Sequence, residues 1–113
     1  MISIIIPTFN EQDYMQKSIT NLQKVRKFIN CEIILVDGSS VDSTVDIAMP
    51  YVDKILLSLP QRSFQQNLGA FSAKGNILLF QHVDTEINIE NINYLNQYKD
   101  RFDWGFFKIK LNN

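Results

Sequence analysis

The sequence predicts an α/β fold, a mostly parallel sheet with flanking helices. Two observations carry that expectation. Short, β-branched, continuously apolar runs at 2–6, 33–36 and 77–80 read as strands covered on both faces. Between them lie segments whose apolar residues recur at steps of three and four, the spacing of a helix face. Strands alternating with helices favour parallel pairing through right-handed crossovers.

Each element has its own signals. Ile2-Ser3-Ile4-Ile5-Ile6 forms the first strand, and Pro7 ends the apolar run. Met15, Ile19, Leu22, Val25 and Ile29 mark one helix face; Asn10 is placed to cap that helix, with Glu11 and Asp13 near its positive end. Ile33-Ile34-Leu35-Val36 is a second strand, halted by Asp37-Gly38-Ser39-Ser40. A short helix through Ala48, capped by Asp42 or Ser43, stops at Pro50, and residues 54–57 read as a third strand. Pro60 and Gln61 lead into a helix whose expected apolar face is Phe64, Leu68 and Phe71, closed by Lys74-Gly75. Asn76-Ile77-Leu78-Leu79-Phe80 is a fourth strand. A helix over 90–98, with Ile92, Leu95 and Tyr98 inward, and a fifth strand over 104–111, with Phe107, Ile109 and Leu111 on one face, complete the pattern.

Composition narrows the chemistry. A chain of 113 residues is one domain at most. Lys and Arg number 11 against 12 Asp and Glu, so no basic surplus exists to neutralise a nucleic-acid backbone. Cys31 is the only cysteine; it excludes an internal disulfide and, with the lone His82, a zinc cage, so a reducing, cytoplasmic setting is expected. The opening apolar run is too short for a signal-peptide core or for the ~20 residues that span a bilayer.

In parallel sheets ligands sit outside the carboxyl ends of the strands, where the order switches. Three such ends carry suggestive groups: Pro7-Thr8-Phe9-Asn10, Asp37-Gly38-Ser39-Ser40 and His82-Val83-Asp84. Neither G-x-G-x-x-G nor a phosphate-cradling G-x-x-x-x-G-K-[ST] is present, so a bound diphosphate would need its charge offset otherwise. Asp84 suits a hard divalent ion, Mg²⁺ or Mn²⁺, completed by phosphate oxygens and water. Asp37 at a strand terminus can accept a hydrogen bond from a base or ribose, and Gly38 lets backbone approach a flat ring. On spacing alone the plainer readings stay open: Asp84 and Thr85 begin a loop, and residues 37–40 form a capped turn.

Together the pieces are more specific. Ile4-Ile5-Ile6-Pro7-Thr8-Phe9-Asn10-Glu11, followed by Val36-Asp37-Gly38-Ser39-Ser40-Val41-Asp42-Ser43-Thr44, resembles family 2 glycosyltransferases of the GT-A (Rossmann-like) fold. Gln66-Asn67-Leu68-Gly69-Ala70 is similar to the family's third block, and His82-Val83-Asp84 stands where its D-x-D motif falls. Phe80-Gln81-His82-Val83-Asp84-Thr85 and Gly105-Phe106-Phe107 resemble the bacterial H-x-D subgroup associated with radical-SAM or selenium-domain genes. The resemblance implies that residues 1–113 are the N-terminal nucleotide-binding portion of an enzyme moving a sugar from a nucleotide-diphospho-sugar donor to an acceptor hydroxyl. It places Pro7, Thr8 and Glu11 in the base pocket, with Asp37, Gly38 and Ser39 on the same wall. Arg62, Gln66 and Asn67 would lie near base, ribose or phosphates. Asp84 would hold the metal, and His82 would contact ribose or metal.

The family's catalytic base lies well downstream of the metal motif, so none is assigned. The chain is expected to be truncated after the fifth strand, leaving an aromatic edge that invites homo-oligomers. Two other readings stand beside the transferase. One is a non-catalytic nucleotide-sugar-binding module or degenerate fragment. The other, a receiver-like signalling domain, fits Asn10-Glu11 and the lysines near the fifth strand poorly.

Overall fold

The computed structural model describes residues 1–87 and the strand Phe106–Phe107. In chain order the elements are β1 (Ile2–Thr8), α1 (Gln12–Arg26), β2 (Cys31–Asp37), α2 (Thr44–Ala48), a 3₁₀ turn (Met49–Tyr51), β3 (Lys54–Leu57), α3 (Arg62–Ser72), β4 (Ile77–Phe80) and β5 (Phe106–Phe107). The sheet order is β3-β2-β1-β4-β5, and every described pairing is parallel. The expected α/β architecture is therefore what the chain adopts.

All seven residues of β1 are buried because both faces are covered. Alternate residues serve alternate layers, as the twofold period of a strand requires. Ile4 and Ile6 join Met15, Ile19, Leu22 and Val25 of α1, together with Ala48 of α2. Ile5 faces the other way and packs with Ile34, Val36 and Phe80 against Leu68, Ala70 and Ala73 around α3. Each such fully buried aliphatic side chain contributes roughly 1.5–3 kcal/mol.

Pro7 does not end β1; the strand runs on to Thr8. Ile5 O accepts from Gln81 N–H on the β4 side, whereas Thr8 O accepts from Gly38 N–H on the β2 side. Pro7, two residues from Ile5, thus faces β4, beyond the last β1–β4 pair at Ile5 and Phe80. Its missing N–H falls where no ladder partner remains.

Three local expectations are corrected. Asn10 does not cap α1: Glu11 holds that position, and Asn10 takes a left-handed backbone (φ 50) and bonds elsewhere. The buried face of α3 is Gln65 and Gly69, whereas Phe64 is half exposed and Phe71 is 91% exposed. The reason is clearance. A Cβ on Gly69 would lie 2.4 Å from Ile5 Cγ2 and 3.1 Å from Val36 Cγ2, so the helix rides too close to the sheet for a bulky ring. Lys74-Gly75 does not close α3, which ends at Ser72; Gly75 N–H instead donates to Ser3 Oγ (2.8 Å). The expected helix over 90–98 lies outside the described residues, as does the expected fifth strand apart from Phe106–Phe107. Among the described residues no helix is long and apolar enough to cross a membrane.

Candidate functional site

The carboxyl ends of β1, β2 and β4 meet where the strand order switches about β1. Thr8 and Asp37 are register partners at the ends of β1 and β2. Thr8 Oγ1 donates to Asp37 Oδ1 (2.9 Å), Ser40 Oγ to the same oxygen (2.6 Å), and Ser40 N–H to Asp37 Oδ2 (2.8 Å). Asp37 is 1% exposed, and this set of donors is what allows a carboxylate to stay buried.

The loops after β1 and β2 are joined to each other. Asn10 N–H donates to Ser40 Oγ (2.8 Å), and Val41 N–H donates to Asn10 Oδ1 (2.9 Å). Both loops need a left-handed residue to turn this sharply: Asn10, and Ser39 at φ 69. The first N–H groups of α1 find acceptors in the second loop. Glu11 N–H donates to Thr44 Oγ1 (2.8 Å) and Gln12 N–H to Asp42 Oδ2 (3.3 Å). Asp42 Oδ1 also accepts from Thr44 N–H (3.0 Å), so one carboxylate serves the starts of both α1 and α2. Gly38 is needed because a Cβ there would lie 2.8 Å from Pro60 Cα; its close neighbour is backbone of this chain.

Above this floor lies a cleft of about 330 Å³ lined by Pro7, Thr8, Phe9, Glu11, Pro60, Arg62 and Gln65. Gln65 is buried and its Nε2 donates to Thr8 O (2.9 Å) and Val36 O (2.8 Å), stitching the ends of β1 and β2. Glu11 has a buried Oε2 with no hydrogen-bond partner. Burial pushes its carboxyl up from the ordinary range; His82 and Arg62 pull it down, while Asp84 and Asp42 add to the rise.

On the β4 side, His82 Nδ1 contacts Asp84 Oδ1, and Asp84 N–H lies 3.3 Å from the same ring nitrogen. Both side chains are open to solvent, at 31% and 50% exposure. Gln81 braces the loop: its Nε2 donates to His82 O (3.2 Å) and to Thr85 O. Among the described residues no group of three His, Cys, Asp or Glu side chains forms a metal cage. One imidazole and one carboxylate, adjacent and solvent-open, fit a hard divalent ion that takes its other ligands from phosphate and water.

The structure thus gathers Pro7, Thr8, Glu11 and Arg62 around one cleft. Asp37, Gly38 and Ser39, expected on the same wall, do not line it: Asp37 and Gly38 bond to Thr8, which does, and Ser39 Oγ donates to Ser58 O (3.0 Å). Gln66 is half-buried and Asn67 exposed, and neither lines the cleft. Pro60 and Gln65 also line the cleft without having been expected there, and Phe9 was expected only as part of its strand-end motif. The signal for Gln65 is its place four residues before Gly69, which puts both on one helix face.

A family model described as Glycosyl transferase family 2 matches residues 3–103. Poly(ribitol-phosphate) beta-N-acetylglucosaminyltransferase TarS of Staphylococcus aureus (strain Mu50 / ATCC 700699) is 27% identical over 118 residues, covering 96% of this chain and 20% of its own. The chain therefore spans about a fifth of that relative's length. The crystal structure of S. aureus TarS in complex with UDP-GlcNAc superposes with a TM-score of 0.75 at 23% identity, covering 88% of this chain and 31% of that one. The mannosyltransferase PcManGT from Pyrobaculum calidifontis, in complex with GDP-Man and Mn²⁺, gives 0.67 at 19% identity, covering 80% and 30%.

Proposed function

The chain belongs to glycosyl transferase family 2, and from that premise we propose that it is the nucleotide-binding part, residues 1–113, of an enzyme moving a sugar from a nucleoside-diphosphate donor to an acceptor hydroxyl. One observation supports the reading. Glu11, whose buried Oε2 has no hydrogen-bond partner, lines the cleft beside Arg62 and also feels the charges of His82 and Asp84, which supports treating cleft and acidic loop as one site.

In this reading the base lies in the cleft, against the half-exposed ring of Phe9 and the flat face of Pro60. Pro7 O, beyond the last β1–β4 pair, would accept from the base edge, and Gln65 keeps the strand end at Thr8 fixed beside it. Asp37, buried beneath Thr8 and held by Ser40, would keep that wall rigid together with Gly38 and Ser39, and would reach the base only if a bound donor displaced one of its present partners. Arg62 places a permanent cation beside the phosphates. Gln66 and Asn67 would meet the donor only where it extends beyond the cleft. His82 and Asp84 would hold Mg²⁺ or Mn²⁺. When bound, the ion offsets the charge that grows on the departing nucleoside diphosphate.

The His82-Val83-Asp84-Thr85 sequence supports membership of the H-x-D subgroup. The free, half-buried thiol of Cys31 suits the cytoplasm. Phe106–Phe107 at the margin of the described sheet supports self-association.

UDP and GDP are the probes to use, because relatives hold UDP-GlcNAc and GDP-Man. Calorimetry should show one of the two binding, and binding more tightly with Mn²⁺. If neither binds under either condition, the reading fails; binding without sugar transfer would favour the non-catalytic module.

A further inference from the structure

We propose that Asn21, in the middle of α1, is a positioning residue that fixes the His82–Asp84 loop and so sets how tightly that loop takes a divalent cation alongside a nucleoside diphosphate. The inference rests on the functional reading above and adds to it a residue that touches neither donor nor metal.

The geometry is a two-point clamp. Asn21 Nδ2 donates to Ile87 O (3.1 Å), and Ile87 N–H donates back to Asn21 Oδ1 (2.8 Å). One primary amide thereby satisfies both backbone groups of a residue 66 positions away, as a neighbouring strand would. The side chains of Ile87 and Val83 are each 2% exposed and belong to the same cluster as Met15, Ile19 and Leu22. Apolar burial sets the depth of the loop but is non-directional. The amide pair sets its position along the helix.

Between the anchors at Gln81 and Ile87, the exposed side chains of His82 and Asp84 contact each other. Their placement is inherited from the two ends of the loop. The start of α1 is itself tied to the second loop, through Glu11 N–H to Thr44 Oγ1 and Gln12 N–H to Asp42 Oδ2. Helix α1 is thus a strut with the base wall at one end and the metal loop clamped at its middle. Releasing the clamp frees the metal loop and leaves the base wall as it is.

His82 is the only histidine in the chain, so its imidazole nitrogen signals are unambiguous in NMR spectra. The test titrates the full chain with Mn²⁺, in the presence of whichever of UDP or GDP the wild type binds, and follows broadening of those signals. Binding of the matching nucleoside, uridine or guanosine, is measured separately without metal. In Asn21→Ala the Mn²⁺ concentration for half-broadening should rise about tenfold, the usual scale for partners that orient metal ligands. Nucleoside affinity should stay at the wild-type value. Asn21→Asp, which keeps the acceptor for Ile87 N–H and loses the donor to Ile87 O, should shift the same way, and it decides the matter should Asn21→Ala fail to fold. Thr20→Ala, on the same helix, should titrate as wild type. Variants at Asn21 that take Mn²⁺ as wild type does would overturn the proposal. So would equal losses of Mn²⁺ and nucleoside affinity, which mark general loosening. Wild type that shows no nucleotide-dependent broadening would instead sink the functional reading beneath it.

Discussion

Thr8 and Asp37, aligned at the last register position of β1 and β2, share a hydrogen bond of 2.9 Å from Thr8 Oγ1 to Asp37 Oδ1 beneath the cleft. Both residues are almost fully buried. The pair fastens two strand ends and, in the proposed function, would hold the wall against which the base lies.

Thr8→Val replaces that hydroxyl with a methyl group of similar size. A buried carboxylate losing one donor costs about 1.5–3 kcal/mol. Chemical denaturation should show a loss in that range, and Thr8→Ser should recover most of it. A Thr8→Val protein as stable as wild type would show that the Ser40 donors suffice.

Gly69→Ala should be destabilising even though alanine is the better helix former by about 1 kcal/mol. The new methyl would sit 2.4 Å from Ile5 Cγ2, and Ile5 is a stiff β-branched residue with no room to move. Overpacking of this kind costs about 1–3 kcal/mol, and the net sign is read directly from the denaturation midpoint.

Glu32 predicts an acid limb in stability. Burial works to raise its carboxyl, but it is outweighed by Ser3 Oγ, the Lys74 and Gly75 N–H groups and the Lys54 charge, which together hold it below the ordinary 4.5. A depressed carboxyl contributes stability that is complete above the unfolded value and disappears as pH falls from there through the native value. Thermal denaturation should therefore weaken below about pH 4.5, and Glu32→Gln should be less stable at neutral pH with a flatter acid limb.

Glu11 works in the opposite sense. Its carboxyl is raised by burial, and His82 and Arg62 offset that only in part. The fold therefore favours the protonated form, and this residue's contribution grows as pH falls toward and through the ordinary carboxylate range. Glu11→Gln should raise the melting temperature at pH 7, and the gain should shrink on acidification. Such a gain, paired with weaker nucleotide binding, would mark Glu11 as a site residue kept at the expense of stability.

Asp84→Ala should remove the Mn²⁺-dependent part of nucleotide binding in calorimetry and leave the metal-free part in place. The Asp84 side chain is half exposed, so folding should be little affected. Unchanged Mn²⁺ dependence would refute its role.

Much of the architecture was legible in the residues. Ile2 to Ile6, Ile33 to Val36 and Ile77 to Phe80 carry strand-like runs, and the spacing of Met15, Ile19, Leu22 and Val25 marks the buried face of α1. Periodicity is local, so it survives without knowledge of neighbours. The strand-end motifs were equally plain, and Pro7, Thr8, Glu11 and Arg62 do share a cleft.

By itself, then, the sequence determined the order and kind of the described strands and helices, the strand ends proposed to carry chemistry, and the family. Only the tertiary structure decided which face of α3 turns inward, because that depends on the clearance between Gly69 and Ile5. It alone assigned the start of α1 to Asp42 and Thr44 in place of Asn10, buried Asp37 among its own donors, and gave Gln65 and Asn21 their backbone partners. Each of these joins a residue to a distant or sideways partner, and no repeat along the chain encodes who that partner is.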